Sequence, residues 1–264
     1  MKRVVRNVLA SLGAMVCPFI DPSDLRAQPA PVPAIAAAAD LNAALPEIAR
    51  LFTAQTGYAV KLVFGSSGLF TQQIQNGAPF QLFLSADERY VQRLAANGHT
   101  DGDGALYATG RIGLLIPRGS RIQSDTSLRA FVAAVQRGDV IKFAIANPEH
   151  APYGRAAKEA LEHLGIWSAL HPRLVFGENA AQATQFASSG SAQGGIIPLS
   201  LALTPQVRAA GTFVLIPARY HQPLLQRMVL LRGAGPAARA FYAFLQTSAA
   251  REVFVRYGFL LPEP

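Results

Sequence analysis

The residues with the most evident chemical capacity are the hydroxyls of Gly65-Ser66-Ser67-Gly68, which follow an apolar run and open a helix-like stretch in "VFGSSGLFTQQIQNGAPFQLFLSADE". A serine nucleophile needs a G-x-S-x-G elbow, where small neighbours let the hydroxyl stand exposed on a sharp strand-to-helix turn. Gly65-Ser66-Ser67-Gly68-Leu69 lacks the last glycine, and Ser188-Ser189-Gly190-Ser191 does not fit either. A serine hydrolase using Ser66 or Ser67 is therefore a remote alternative, and a turn or ligand contact suits these serines better. The five histidines, His99, His150, His163, His171 and His221, never fall at the i, i+4 spacing of a helical metal pair. Asp101-Gly102-Asp103-Gly104 opens like a calcium loop but lacks the distal glutamate. The same glycines fail as a dinucleotide turn, because Tyr107 stands where the third glycine is needed. No catalytic set and no metal-ligand set emerges.

What remains is a recurring arrangement in which a strand ends, a small or hydroxyl residue follows and a helix begins. It occurs at Ala38-Ala39-Asp40, at Gly65-Ser66-Ser67-Gly68, in "NPEHAPYGRAA" (147–157) and in "GENAAQA" (177–183). The first turn of a helix has backbone N–H groups without intrahelical partners, and the helix dipole adds positive potential there, so such ends attract anions. One such junction is ordinary N-capping. Four in one chain without catalytic groups point to a shared anion site.

The elements that must carry these junctions alternate. Strands are expected at 32–38, 60–64, 82–85, 112–117, 140–146, 174–177, 195–197, 213–216 and 225–231. Helices are expected at 41–55, 69–76, 88–97, 127–136, 154–164, 180–188, 237–245 and 249–257. The pattern predicts an α/β fold with mostly parallel strands. In the first helix Leu41, Leu45, Ile48 and Phe52 form the apolar stripe and Gly57 the stop. Pro46 would break an interior turn, so that helix must kink or start later. Punctuation by proline and glycine is even, and no sequential domain boundary is marked.

The chain has 264 residues, half of them hydrophobic, enough for one large or two modest domains with real cores. Lys2, Arg3 and Arg6 precede an apolar run at 8–20, and Ala27 and Ala30 offer small residues for cleavage, so residues 1–30 read as a secretory signal peptide. Cys17, the single cysteine, lies in that run behind Ala14-Met15-Val16, a poor lipoprotein processing site. The mature chain is expected to be cysteine-free and without a lipid anchor. No later run reaches the roughly 18 apolar residues of a spanning helix. Of the net +8, four basic leader residues (Lys2, Arg3, Arg6, Arg26) against two acidic ones (Asp21, Asp24) account for +2 and the remainder carries +6. Its basic residues are scattered, which gives nucleic acid no motivated footprint.

Three stretches, "FGSSGLFTQQIQNGAPFQLFLSADE", "IANPEHAPYGRAAKEALEHLGIW" and "FYAFLQTSAAREVFVRYGF", resemble the periplasmic molybdate-binding proteins of ABC importers over essentially the whole mature chain. The resemblance implies a two-lobed type II periplasmic-binding-protein fold with two crossover strands and an oxyanion clamped between the lobes. It places lobe I at 31–117 and 214–264 and lobe II at 118–213. It implies a binding protein in the periplasm rather than an enzyme, taking molybdate and also tungstate and handing it to a membrane ABC permease. A monomer without a cofactor is expected, with molybdenum reached only through its oxygens and no nucleic-acid partner. Phosphate or sulfate is the alternative ligand.

Carried over by position, the ligand-binding residues are Asp40, Ser67, Tyr153 and, through its backbone, Ala180. Pro198 stands where some members of the family have a ligand-binding tyrosine, a phenol that Tyr153 could supply from another loop. Asp40 departs from the Ser or Asn usual in the family. An ionised carboxylate about 5 Å from a dianion costs on the order of 6 kcal/mol at an effective dielectric of ~20. Two orientations follow: Asp40 offers its backbone N–H and turns its carboxylate back as an N-cap, or the carboxylate faces inward and accepts a proton from an anion such as hydrogen phosphate.

Overall fold

The computed structural model describes residues 32–123 and 125–262; the signal peptide read at 1–30, with Cys17, Ala27 and Ala30, lies outside the described residues. The described chain begins with β1 (Ala34–Ala38), α1 (Ala44–Thr56), β2 (Lys61–Gly65), α2 (Ser67–Gln75), β3 (Phe80–Ser85), α3 (Glu88–Ala96) and β4 (Ala105–Gly110). It continues through β5 (Ile112–Pro117), α4 (Arg129–Arg137), β6 (Phe143–Ala146), α5 (Pro152–His163), α6 (Trp167–Leu170), β7 (Leu174–Gly177) and α7 (Ala180–Ser188). Next come β8 (Gly195–Pro198), α8 (Leu199–Ala202), α9 (Pro205–Ala210) and β9 (Gly211–Leu215), and the chain closes with β10 (Leu224–Leu230), α10 (Pro236–Phe244) and α11 (Ser248–Arg256).

Two five-stranded sheets result, ordered β2-β1-β3-β10-β4 and β7-β6-β8-β5-β9. In the first, β1 pairs in parallel with β2 and β3, while β10 runs antiparallel to β3 and β4. In the second, β6 is parallel to β7 and β8, and β5 is antiparallel to β8 and β9. The period-2 alternation of side chains gives each sheet two buried faces. Ile35, Ala37, Leu82, Leu84, Met228 and Leu230 meet α1, α10 and α11, whereas Ala36, Phe83, Val229 and Leu231 meet α2 and α3. In the second sheet Leu114, Phe143, Ile145 and Ile196 pack with Phe131 of α4 and Leu161 of α5, while Leu115, Ala144 and Ile197 pack with Ala187 of α7.

The chain crosses between sheets twice, at Arg111 and between β9 and β10. The expected lobe boundary at 117 and 214 therefore moves: β5 and β9 pair with each other and lie in the second sheet, so the first crossing is at Arg111 and the second follows Leu215. Arg111 itself fastens the first crossing, its guanidinium donating to the Gly258 carbonyl at 2.9 and 2.7 Å.

Two further expectations change. The strand at 105–110 was not foreseen, because "ALYATG" alternates weakly and follows a glycine-rich turn. The strand expected at 140–146 begins only at Phe143. Pro46 is settled by a later start: α1 begins at Ala44, so the proline sits in the first turn, where its missing N–H has no intrahelical partner to lose. Gly57 closes α1 in the left-handed conformation at φ 74°, which a side chain would strain. Among the described residues no helix is long and apolar enough to cross a membrane.

Candidate functional site

The four strand-to-helix junctions converge on one small cavity of about 10 Å³ between the two sheets. Organic ligands occupy pockets of roughly 300–1,000 Å³. The cavity here is far smaller, with room on the scale of a water molecule, as in a cleft closed around a small polar group. Asp40, Ser67, Tyr153 and Ala180 all line it, together with Ala86, and among the described residues no lysine or arginine does. Small residues dominate its wall, which is why the backbone can come close.

Each wall follows from local chain chemistry. β1 reads AIAAA, small enough for helices from both sheets to approach its end, and it runs into a 3-10 turn at Ala39–Leu41. β2 ends at Gly65, and Ser66 caps α2 in extended geometry but gives its hydroxyl elsewhere: Ser66 Oγ donates to the carbonyl of His150. Gly68 N–H donates to the same carbonyl at 2.9 Å. A Cβ on Gly68 would lie 2.6 Å from that oxygen, so glycine is required for this approach across the cleft. Ser67 Oγ accepts from the Ala86 N–H at 3.0 Å, so its own proton is left to point elsewhere.

From the second sheet, β6 leads through 147–151 into α5, with Pro152 at the first helical position, where proline fits best. β7 leads into α7, whose cap Asn179 accepts from Ala181 and Gln182 N–H at 3.0 and 3.1 Å and leaves the Ala180 N–H uncommitted by the cap. The N-termini of α2, α5 and α7 thus surround the cavity. At about 0.3–1 kcal/mol per helix end, rising to about 2 when partly buried, the three favour an anion without any fixed cation.

Asp40 corrects one expectation. Its side chain makes no helix cap. The carboxylate is completely buried, and Oδ2 accepts from Gln226 Nε2 at 2.7 Å and from the Tyr153 hydroxyl at 2.9 Å, while Oδ1 has no partner. The backbone carbonyl of Asp40 accepts from Ser200 Oγ at 2.8 Å. Burial pushes the Asp40 carboxyl up to about 6 from 3.8, against the lowering effect of the bonds from Gln226 and Tyr153 and of its own nearby backbone N–H, which forms no hydrogen bond to it. Tyr153 also corrects the reading in which its phenol serves the ligand: its single proton goes to Asp40, and its oxygen accepts from Gln226 Nε2 at 3.1 Å. Burial and the Asp40 charge hold the Tyr153 phenol well above 10, so it stays neutral.

Sequence reasoning missed the outer members of this cluster. Tyr107 donates to Gln226 Oε1 at 2.7 Å, which fixes the Gln226 amide so that its nitrogen faces Asp40. The usable signal was in β10, where Gln226 shares a face with buried Leu224 and Met228 and is itself fully buried, a polar residue in an apolar register. Gly110 makes room, since a Cβ there would meet the Tyr153 hydroxyl at 2.3 Å.

At the rim Asp87 of the first sheet's side accepts from Arg89 at 2.6 Å and from Arg155 of α5 at 3.2 Å. Burial works to raise the Asp87 carboxyl, but the Arg89 hydrogen bonds and the Arg155 charge hold it below the ordinary range. Among the described residues no cluster of three or more His, Cys, Asp or Glu could hold a metal ion.

Comparison with known proteins gives one direction. The bacterial extracellular solute-binding protein family matches residues 34–260. The molybdate-binding protein ModA of Rhodobacter capsulatus is 35% identical over 228 residues, covering 85% of this chain and 86% of that protein. ModA of Azotobacter vinelandii is 35% identical over 229 residues, with 85% and 88% covered. The solved periplasmic molybdate-binding protein of Azotobacter vinelandii superposes with a TM-score of 0.80 at 29% identity, over 88% of this chain and 100% of that one.

Proposed function

This chain belongs to the bacterial extracellular solute-binding proteins, and from that premise we propose that it captures molybdate, and also tungstate, in the cavity between its sheets and delivers it to a membrane ABC permease. The observation that carries the reading is the convergence of three helix N-termini and the Ser67 hydroxyl on one small cavity that, among the described residues, no lysine or arginine lines. The ModA proteins of Rhodobacter capsulatus and Azotobacter vinelandii, relatives of similar length, are molybdate-binding proteins.

Ser67 would donate its hydroxyl proton, and Ser67, Tyr153 and Ala180 would offer first-turn N–H groups. Each charge-assisted bond contributes roughly 1.5–3 kcal/mol. Four such bonds give roughly 6–12 kcal/mol before ordering costs, on the scale of the ~8–12 kcal/mol of a micromolar to nanomolar ligand, and the three helix ends add to them. Selectivity for fully ionised oxyanions would come from a wall of donors.

Closure is the mechanistic step. Contacts that already span the two sheets, Gly68 and Ser66 to the His150 carbonyl, Ser200 to Asp40 and Arg155 to Asp87, make the closed form favourable. A ligand touching both sides would shift the population further toward it. The protein would work in the periplasm as a monomer, without a cofactor.

A second reading, capture of a proton-bearing anion such as hydrogen phosphate, is favoured by the unpartnered Oδ1 of Asp40. Thermal unfolding with molybdate, tungstate, sulfate or phosphate separates the two. An anion at about 100 times its Kd stabilises by about 2.7 kcal/mol, or ~5–11 °C for a chain of this size. The expected result is a rise with molybdate and tungstate; a rise with phosphate alone would favour the second reading.

A further inference from the structure

Among the described residues Asp40 is the one acidic residue lining the cavity, and no basic residue there offsets it. Oδ2 receives both hydrogen bonds and Oδ1 receives none, although the side chain is fully buried. A buried carboxylate oxygen without a donor is costly, and a dianion in the same cavity would add a like charge. The groups packed against Asp40 from other elements are Tyr153 of α5, Tyr107 of β4, Gln226 of β10 and Ser200 of α8. All are neutral near pH 7, and burial holds both phenols well above 10. The charged residues beside Ala86, Asp87 with Arg89 and Arg155, are bonded to one another.

We propose that the chain takes up its oxyanion together with one proton, held between Oδ1 of Asp40 and a ligand oxygen. The inference rests on the oxyanion reading of the cavity. The proton comes from solvent, no covalent bond is made or broken, and it does two things at once. It removes the carboxylate charge that would repel a dianion, and it turns an acceptor into a hydrogen-bond donor at the one atom of Asp40 with no partner. In the free protein burial already lifts this carboxyl to about 6, so little further change in environment is needed for it to hold a proton at neutral pH. Release would be proton-linked in the same measure, since the coupling of two ligands is reciprocal.

The test is isothermal titration of the ligand-stripped chain from residue 31 onward with molybdate in pairs of buffers of different ionisation enthalpy, from pH 5.5 to 8.5. Proton uptake per bound molybdate should be close to one at pH 7.5 and about a quarter at pH 5.5, and Kd should weaken about tenfold per pH unit above pH 7. Asp40→Asn should bind with no uptake and a flat Kd. Molybdate bound by the unaltered chain with no uptake and no pH dependence would overturn the proposal and leave the oxyanion reading standing. Uptake that persists in Asp40→Asn would also overturn it, because the proton would then reside elsewhere. Absence of molybdate binding at every pH would instead remove the oxyanion reading itself, and the proposal with it.

Discussion

Replacing Asp40 by Asn changes one atom type in a fully buried cluster, and its effect on the ligand-free protein can be worked through. Burial raises the carboxyl from 3.8 to about 6. Between those values the folded protein holds more protons than the unfolded chain, so stability falls as pH rises through that window. At 1.36 kcal/mol per pH unit, the loss amounts to about 3 kcal/mol, complete above about pH 7 and absent below about pH 3.8. Asn carries no such charge. Its carbonyl can still accept from Gln226 and Tyr153, so any other difference between the proteins is a constant offset. The stability of Asp40→Asn relative to the unaltered chain should therefore climb by about 2.4 kcal/mol between pH 4 and pH 7.5, roughly 5–10 °C in Tm. Paired thermal melts of ligand-free protein across that range measure it. A difference that stays flat with pH, or that falls as pH rises, would refute the burial argument for Asp40.

Ser67→Ala keeps the backbone of the α2 junction but removes the hydroxyl that accepts from Ala86. Molybdate affinity by titration should drop about tenfold to a hundredfold. Gly68→Ala inserts a Cβ 2.6 Å from the His150 carbonyl and props the cleft open. Small-angle scattering should show no compaction on adding molybdate, with the far-ultraviolet circular dichroism spectrum unchanged.

The layer order was legible because apolar alternation and helix stripes were strong: Leu45, Ile48 and Phe52 are all fully buried, as the stripe required. The four site positions were legible as junctions, and they do line one cavity. What escaped was non-local. Strand β4 has weak alternation, and it is held by pairing with β10 from more than a hundred residues away. That pairing also brings Tyr107 and Gln226 behind Asp40, so the carboxylate turned toward a partner that no local pattern names. The domain boundary moved for the same reason: β5 is apolar throughout and reads as a strand, but only its partners, β8 and β9, reveal which sheet owns it.

The most direct test of the functional account is isothermal titration of the ligand-stripped chain from residue 31 onward with molybdate, tungstate, sulfate and phosphate at pH 7.5. The account predicts molybdate and tungstate binding one to one with Kd below about 1 μM, that is, more than about 8 kcal/mol, with sulfate and phosphate silent. Phosphate binding with molybdate silent would contradict it.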